Sequence, residues 1–447
     1  MKTVITYGTF DLFHIGHENL LRRAKALGDY LIVGVTSEQY DRERGKLNVY
    51  QSLMQRIENV RQSGLADKII IEEHEAQKIE DIIRYDVDIF AIGSDWLGEF
   101  DYLKEYCNVI YLDRTKDISS TDIRNSNGHM VNLGIIGCGQ MADVFIPESK
   151  YVSGVNVRGV YSPDLAEAQS FAENHSLEFS SHDLDDFITA VDAVYITAPA
   201  QLHERYIRKC LENGRHVLCE KPMTLKKLEA EELFALASSK NLVLMEAMET
   251  AYSPGFIRLV SLVRSGMIGE VRDVDSAFTM LRKDNFREAD GKDNIGSIKE
   301  FASYVLLPIM RVFGTKYEKI DFLPYVVDEV DLFTRGVLRF PKGSASFRVG
   351  VGVKTEGELT ISGTRGYAYV PAPWWKPEYF ELRFEDPGAT LKYFYKYEGD
   401  GLRYELNEFA RAITLNDPTA KRCLSEEQTI ATIGVIDKFS TEFQARS

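Results

Sequence analysis

Apolar residues recur along this chain in two distinct rhythms. Short β-branched runs stand at residues 2–7 (KTVITY) and 30–36 (YLIVGVT). Between them ENLLRRAKALG carries apolar positions at helical spacing and stops at Gly28. Strand-like runs follow at KIIIEE, VDIFAIG and VIYLD, with a helical stretch, QKIEDIIRY, among them. Strand–helix alternation of this kind predicts a parallel α/β sheet. The polar stretch TDIRNSNGHM interrupts it, and Asn125–His129 reads as a linker. The alternation restarts with VNLGIIG, VNVRGVY, AVYITAP, HVLCEKP and LVLMEAM, a second parallel unit ending near Glu249. Beyond Tyr252 the runs lengthen and become amphipathic: VRDVDSAFTML, DLFTRGVLRF, GSASFRVGVGV and GELTISGTRGYAYV. These predict an antiparallel sheet with one solvated face. Two helices, LRYELNEFARAITL and SEEQTIATIGVIDKFSTEFQ, close the chain. The predicted domains are residues 1–128, 129–250 and 251–447.

Composition narrows the picture. The chain has 447 residues, 44% apolar and 27% charged, as in a folded globular protein of two or three domains. A net charge of −15 repels a phosphate backbone and argues against nucleic acid as a partner. The five cysteines are odd in number and form no CxxC, so neither a disulfide framework nor a zinc site is expected. No signal-peptide pattern or membrane-length apolar run occurs, and a cytoplasmic location is expected.

Two strand ends carry the candidate chemistry. In the first, Gly8-Thr9-Phe10-Asp11-Leu12-Phe13-His14-Ile15-Gly16-His17 runs from a strand into a helix. Helix N-terminal N–H groups and the helix dipole attract an anion. Gly8 and Gly16 let the backbone come close to it. His14 and His17, three residues apart, share a helix face and can both address a phosphoryl group. This stretch strongly resembles the nucleotidylyltransferase signature. Residues 1–124 as a whole resemble glycerol-3-phosphate cytidylyltransferases, including GSDWLGEFDYLKEYCNVIYLDRT and ISST. The resemblance implies that His14 and His17 hold the CTP phosphates and stabilise the transition state. It implies that Gly8, Thr9, Phe10 and Gly16 shape the nucleotide pocket, with Asp95 and Trp96 at the cytidine end. Arg114, Thr115 and Ser119 match the second family motif, and Lys46 a lysine of a closing loop. Mg²⁺ would accompany CTP. Asp117 stands where that motif usually has glycine, and Gly64 near where the glycerol-phosphate enzymes carry an arginine. Lys46 also suits a solvated loop lysine, and Trp96 core packing.

In the second, VNLGIIGCGQMADVF reads as a strand, then Gly137-x-Gly139-x-x-Ala142, then a helix. That context fits a dinucleotide fingerprint, with Gln140 and Met141 opening the helix. The acidic residue expected at the end of VRGVYS is replaced by Ser162, and the absence points to NADPH rather than NADH, although no arginine follows. ITAPAQLHERYIRKCLENGRHVLCEKPMTL resembles the glucose–fructose oxidoreductase and inositol dehydrogenase (Gfo/Idh/MocA) family, over about residues 131–447. By that resemblance Glu220-Lys221-Pro222 is the family's Glu-Lys-Pro motif, and Lys221 lies near the nicotinamide. Pro199 and His203 match the cofactor-side loop. Tyr304, four residues from Glu300, would give a proton to the carbonyl oxygen, with Lys221 lowering its pKa. A core tyrosine in the apolar YVLLPIM is the other reading. Glu300, Ala302 and Ala251 depart from the family's usual Asp, Gly and Arg.

The expected fold is therefore α/β: a Rossmann-like nucleotidylyltransferase domain, a dinucleotide-binding Rossmann domain, and an α+β domain with an open, mainly antiparallel sheet. The fusion implies consecutive steps on one substrate, a sugar (ketose) phosphate or alditol phosphate. Cytidylyl transfer and NADPH- or NADH-dependent reduction would together yield a CDP-alditol for capsule or teichoic-acid-like polymers. A homodimer is implied by both families. Two other readings stay open: a second domain that only regulates or dimerises, and a dehydrogenase acting on an unrelated sugar.

Overall fold

A computed structural model of the chain describes residues 2–11, 13–37, 40–41, 49, 51–74, 76–112, 130–281, 296–414 and 423–444. The linker Asn125–His129 lies outside the described residues. The chain divides into two compact units, with the main break in sequence between Met130 and Val131.

The first unit holds five parallel strands: β1 (Thr3–Gly8), β2 (Tyr30–Thr36), β3 (Lys68–Glu72), β4 (Ile89–Gly93) and β5 (Asn108–Leu112), in the order β3-β2-β1-β4-β5. Successive side chains leave a strand on opposite faces. Val4 therefore packs with Phe10, Leu21, Val33 and Val60, while Ile5 and Tyr7 pack with Ile82, Phe90 and Leu103. Both faces are covered, which is why these strands read as unbroken apolar runs. The strand order reverses between β1 and β4. Loops leaving their carboxyl ends diverge there and open a crevice.

The second unit begins with a six-stranded sheet: β6 (Val131–Ile136), β7 (Val155–Tyr161), β8 (Phe179–Ser181), β9 (Ala193–Ile196), β10 (His216–Glu220) and β11 (Leu244–Ala247), in the order β11-β10-β9-β6-β7-β8. Its reversal falls between β6 and β9. An eight-stranded sheet follows: β12 (Val271–Thr279), β13 (Lys319–Val327), β14 (Val330–Phe340), β15 (Gly343–Gly350), β16 (Leu359–Gly363), β17 (Gly366–Val370), β18 (Tyr379–Phe384) and β19 (Leu391–Phe394), in the order β13-β14-β15-β12-β16-β17-β18-β19. In β14, Thr334, Gly336, Leu338 and Phe340 are buried, while Arg335, Val337 and Arg339 are exposed. The helices Ser297–Phe313 and Glu426–Gln444 pack against each other. One pair, β12 with β15, runs parallel. The chain between them passes through the helix Ser297–Phe313 and the β13–β14 hairpin, a connection long enough to reverse direction.

Candidate active sites

In the first unit, β1 ends at Gly8 and the chain turns through Phe10 into the helix Ile15–Lys25. Phe10 is fully buried with a left-handed backbone at φ +52°, a strained conformation for a bulky residue. A Cβ on Gly8 would stand 3.0 Å from the Phe10 ring, so glycine here makes room for that ring. The ring meets His17 edge-on, with centroids 5.5 Å apart. His14 caps the helix: its Nδ1 accepts the Gly16 N–H at 3.0 Å. An accepting Nδ1 leaves the neutral ring's proton on Nε2. The rings of His14 and His17 lie 4.0 Å apart. Two imidazoles at a helix N-terminus make a binding place for phosphate oxygens.

Sequence reasoning passed over Arg56. Its wholly buried guanidinium donates through Nη1 to the carbonyls of Thr9 and Thr36, at 2.9 Å each, and lies 3.2 Å from Asp41. Asp41 accepts from the hydroxyls of Thr9 and Thr36 at 3.1 and 2.7 Å. One buried charge pair thus locks the carboxyl ends of β1 and β2 together. The hydroxyl of Thr9 serves this lock. Trp96 stands after β4 in the turn Ser94–Trp96, 36% exposed, its ring 5.8 Å from Phe100. Asp95 belongs to the same turn. Lys46, Arg114, Thr115 and Ser119 lie outside the described residues.

In the second unit, Gly137 follows β6 at φ +110°, and a Cβ there would stand 2.8 Å from Thr197 Oγ1 and 3.1 Å from the Ala198 nitrogen. Only glycine lets the loop after β9 come this close. Gly139 is the N-cap of the helix Gln140–Ser149. No side chain caps that end, and a Cβ on Gly139 would meet nothing within 4 Å. Ala142 is fully buried behind it, while Gln140 and Met141 are exposed. An uncapped helix end over open space suits a pyrophosphate. Pro199 precedes the helix Ala200–Glu212 at the end of the neighbouring loop. Ser162, 2% exposed at the end of β7, donates its hydroxyl to Glu167 and accepts the Asp164 N–H at 3.2 Å.

His203 and Glu220, expected on the cofactor surface, lie inside the protein. His203 sets Nδ1 3.0 Å from the Pro222 carbonyl and Nε2 2.6 Å from that of Ala198. It ties the loops after β9 and β10, and burial pushes its pKa down. Glu220 accepts the Tyr195 hydroxyl at 2.5 Å, and burial pushes its carboxyl up. Both support the site from behind.

Lys221 donates to the Glu300 carbonyl at 3.3 Å, and its Nζ lies 5.4 Å from the centre of the Tyr304 ring. Around Tyr304 other groups outweigh any lowering of its pKa by Lys221. The Tyr304 hydroxyl donates to Glu249 Oε1 at 2.8 Å, and burial with the Glu249 charge raises its pKa well above the ordinary value. Glu249 is itself pushed up to about 7, by burial first and then by the nearby Glu220. The phenol and the carboxyl therefore form a buried hydrogen-bonded pair that no motif announced. The signal available was an acid inside the apolar stretch MEAMETAYSP. Phe278 stacks on Tyr304 and on Trp375, at 4.6 and 3.8 Å. Ala251 and Ala302, where the family pattern is altered, are buried.

Residues 5–126 match the family described as cytidylyltransferase-like, and residues 131–248 the oxidoreductase family with an NAD-binding Rossmann fold. Over 124 residues the chain is 52% identical to glycerol-3-phosphate cytidylyltransferase of Bacillus spizizenii, covering 95% of that protein and 28% of this chain. Over 320 residues it is 30% identical to scyllo-inositol 2-dehydrogenase (NADP(+)) IolU of Bacillus subtilis, covering 92% of that protein and 67% of this chain. The chain belongs to both families. It is a fusion of a cytidylyltransferase with a Gfo/Idh/MocA oxidoreductase, a nucleotidyltransferase and a dehydrogenase in one polypeptide. Among solved structures the oxidoreductase part resembles KijD10, a 3-ketoreductase from Actinomadura kijaniata. The TM-score is 0.61 at 21% identity, over 70% of this chain and 97% of that one. It also resembles a levoglucosan dehydrogenase, with TM-score 0.62 at 17% identity, over 71% and 97%. At these identities the likeness establishes the fold. Among the described residues no helix is long and apolar enough to cross a membrane.

Proposed function

We propose that this chain makes a CDP-alditol from a ketose phosphate by cytidylyl transfer and carbonyl reduction. In the transfer, a phosphate oxygen of the sugar or alditol phosphate attacks the α-phosphorus of CTP. The bond to the β-phosphate breaks and pyrophosphate leaves. His14 and His17 hold the phosphate oxygens, and the His14 cap fixes an Nε2–H donor. Arg114, Thr115, Ser119 and Lys46 add contacts to the triphosphate, and Asp95 and Trp96 hold the cytidine end. Mg²⁺ enters with CTP and offsets the charge of the triphosphate.

In the reduction, a bound nicotinamide dinucleotide, NADPH or NADH, supplies the hydride. Gly137, Gly139, Gln140 and Met141 frame its pyrophosphate, Pro199 flanks it, and Ser162 stands at the adenosine-ribose end. Tyr304 gives its hydroxyl proton to the carbonyl oxygen, Glu249 restores that proton, and Lys221 steadies the developing alkoxide. The observation that carries this reading is the coexistence of two such sites in one chain. One is a histidine pair at a helix N-terminus; the other is an uncapped helix whose sheet also carries Lys221. CDP-alditols feed capsule or teichoic-acid-like polymers, made in the cytoplasm, here by a homodimer.

The test is a matrix of MgCTP with ketose phosphates and the matching alditol phosphates, with and without the reduced dinucleotides. Pyrophosphate release and 340 nm absorbance are followed together. The expected result is pyrophosphate release with one sugar and loss of absorbance with its ketose form. A second reading, a nucleotide-binding regulatory or dimerising domain, draws on the buried Ala251 and Ala302. Dinucleotide binding without oxidation by any carbonyl compound would favour it.

A further inference from the structure

The acid missing from the end of β7 has a replacement in space. Glu167, from the first turn of the helix Leu165–His175, brings its carboxylate to the hydroxyl of Ser162. The neighbouring acid, Asp164, is occupied: its Oδ1 accepts the N–H groups of Ala166 and Glu167 at 2.9 and 3.3 Å and caps the helix. Glu167 thus sits one strand away from the Gly137–Gly139 turn, on the side where the adenosine half of a dinucleotide lies in this architecture. Its field reaches the turn. The Cys138 thiol is pushed up to about 12, by burial first and then by Glu167 and Asp143. The ionisable base closest in sequence to the β8 end is His182, next to Ser181, whose carbonyl accepts the Ser162 N–H at 3.2 Å. Residues 131–149 and 159–204 contain no lysine or arginine.

We infer that Glu167 selects the cofactor: held at the end of β7 by Ser162, its carboxylate accepts the adenosine ribose hydroxyls and repels a 2′-phosphate, so the chain prefers NADH to NADPH. A vicinal diol offers two O–H donors to one carboxylate, whereas a 2′-phosphate brings further negative charge against that carboxylate. This reverses the weighting that Ser162 gives when read alone. It rests on residues 131–250 binding a dinucleotide. The likeness to a relative named for NADP(+), at 30% identity over the aligned region, does not fix the residue at this position.

The test is a titration of the full-length protein with NADH and with NADPH, read by nicotinamide fluorescence, for the wild type, Glu167→Gln, Glu167→Arg and Ser162→Ala. The wild type is expected to bind NADH at least about tenfold tighter. Glu167→Gln should bring the ratio near one, chiefly by tightening NADPH, and Glu167→Arg should invert it. Ser162→Ala should move it part of the way. NADPH bound as tightly as NADH by the wild type overturns the inference alone. So does a Glu167→Gln protein that weakens both cofactors equally with a lowered melting temperature, because that marks Glu167 as a helix-end support. Binding of neither cofactor overturns the dinucleotide reading as well.

Discussion

The two glycine-framed strand ends share a topology and differ in how they treat the helix that follows. In the first unit the helix N-terminus is capped by an imidazole, a second imidazole lies 4.0 Å from it, and a strained Phe10 packs beneath. In the second unit the helix Gln140–Ser149 has no side-chain cap, and its first turn opens onto space. Bare N–H groups hold an anion that need not react. Side-chain donors pre-set at the same place can follow charge as it develops during a displacement. The difference marks one end as a place for chemistry and the other as a handle for a cofactor. The groups proposed to react in the second unit, Lys221, Tyr304 and Glu249, stand on other elements.

The sharpest way to break that comparison is to unlock the first end. Arg56→Leu leaves Asp41 buried without its partner and should cost about 3–5 kcal/mol. Chemical denaturation should show a lower transition for the first unit, with the second unit's transition unchanged. If the sites are independent, His17→Ala should reduce pyrophosphate release by about 10²–10³ and spare hydride transfer. Lys221→Ala should do the reverse. Loss of both activities from either change, in folded protein, would contradict separate sites.

The Tyr304–Glu249 pair sharpens the second half. Glu249 gives a proton only while protonated, so reduction should slow as pH rises through about 7. Glu249→Gln should lower kcat by about tenfold or more and remove that pH limb. A variant that keeps the limb would take Glu249 out of the path.

The smallest effect concerns Glu246, buried and pushed from 4.5 up to about 7 by desolvation. A carboxyl whose folded pKa is raised contributes stability that is full below about 4.5 and is lost as pH rises through about 7. Glu246→Gln should therefore remove that loss, gaining stability over the wild type at pH 8 and changing little at pH 5. Thermal melts at the two pH values check this.

The features legible in the sequence were those that the backbone imposes locally. Gly137 must be glycine because its φ and the approach of Thr197 forbid a Cβ, and that demand shows at one position. The histidine pair was legible because three-residue spacing on a helix is itself a contact. What stayed hidden was assembled by tertiary packing. Arg56 reaches across two strand ends, Glu249 meets a tyrosine 55 residues away, and Glu167 fills a place that belongs to another position in the chain. Strand β13 was missed because Pro324 breaks its pattern, a residue tolerated where a strand forms the sheet edge. The parallel pairing of β12 with β15 was not legible: β15 alternates much as it would in an antiparallel sheet, while β12 is buried without a break from Ser276 to Thr279.

The most direct measurement is the mass of the product formed by the full-length protein given MgCTP, a ketose phosphate and reduced dinucleotide in one vessel. The expected product has the mass of the ketose phosphate plus a cytidylyl group and two hydrogens. It should require both CTP and the dinucleotide, and be lost with either His17→Ala or Lys221→Ala. A cytidylylated sugar that never gains the two hydrogens, with every ketose phosphate offered, would contradict the two-step synthesis.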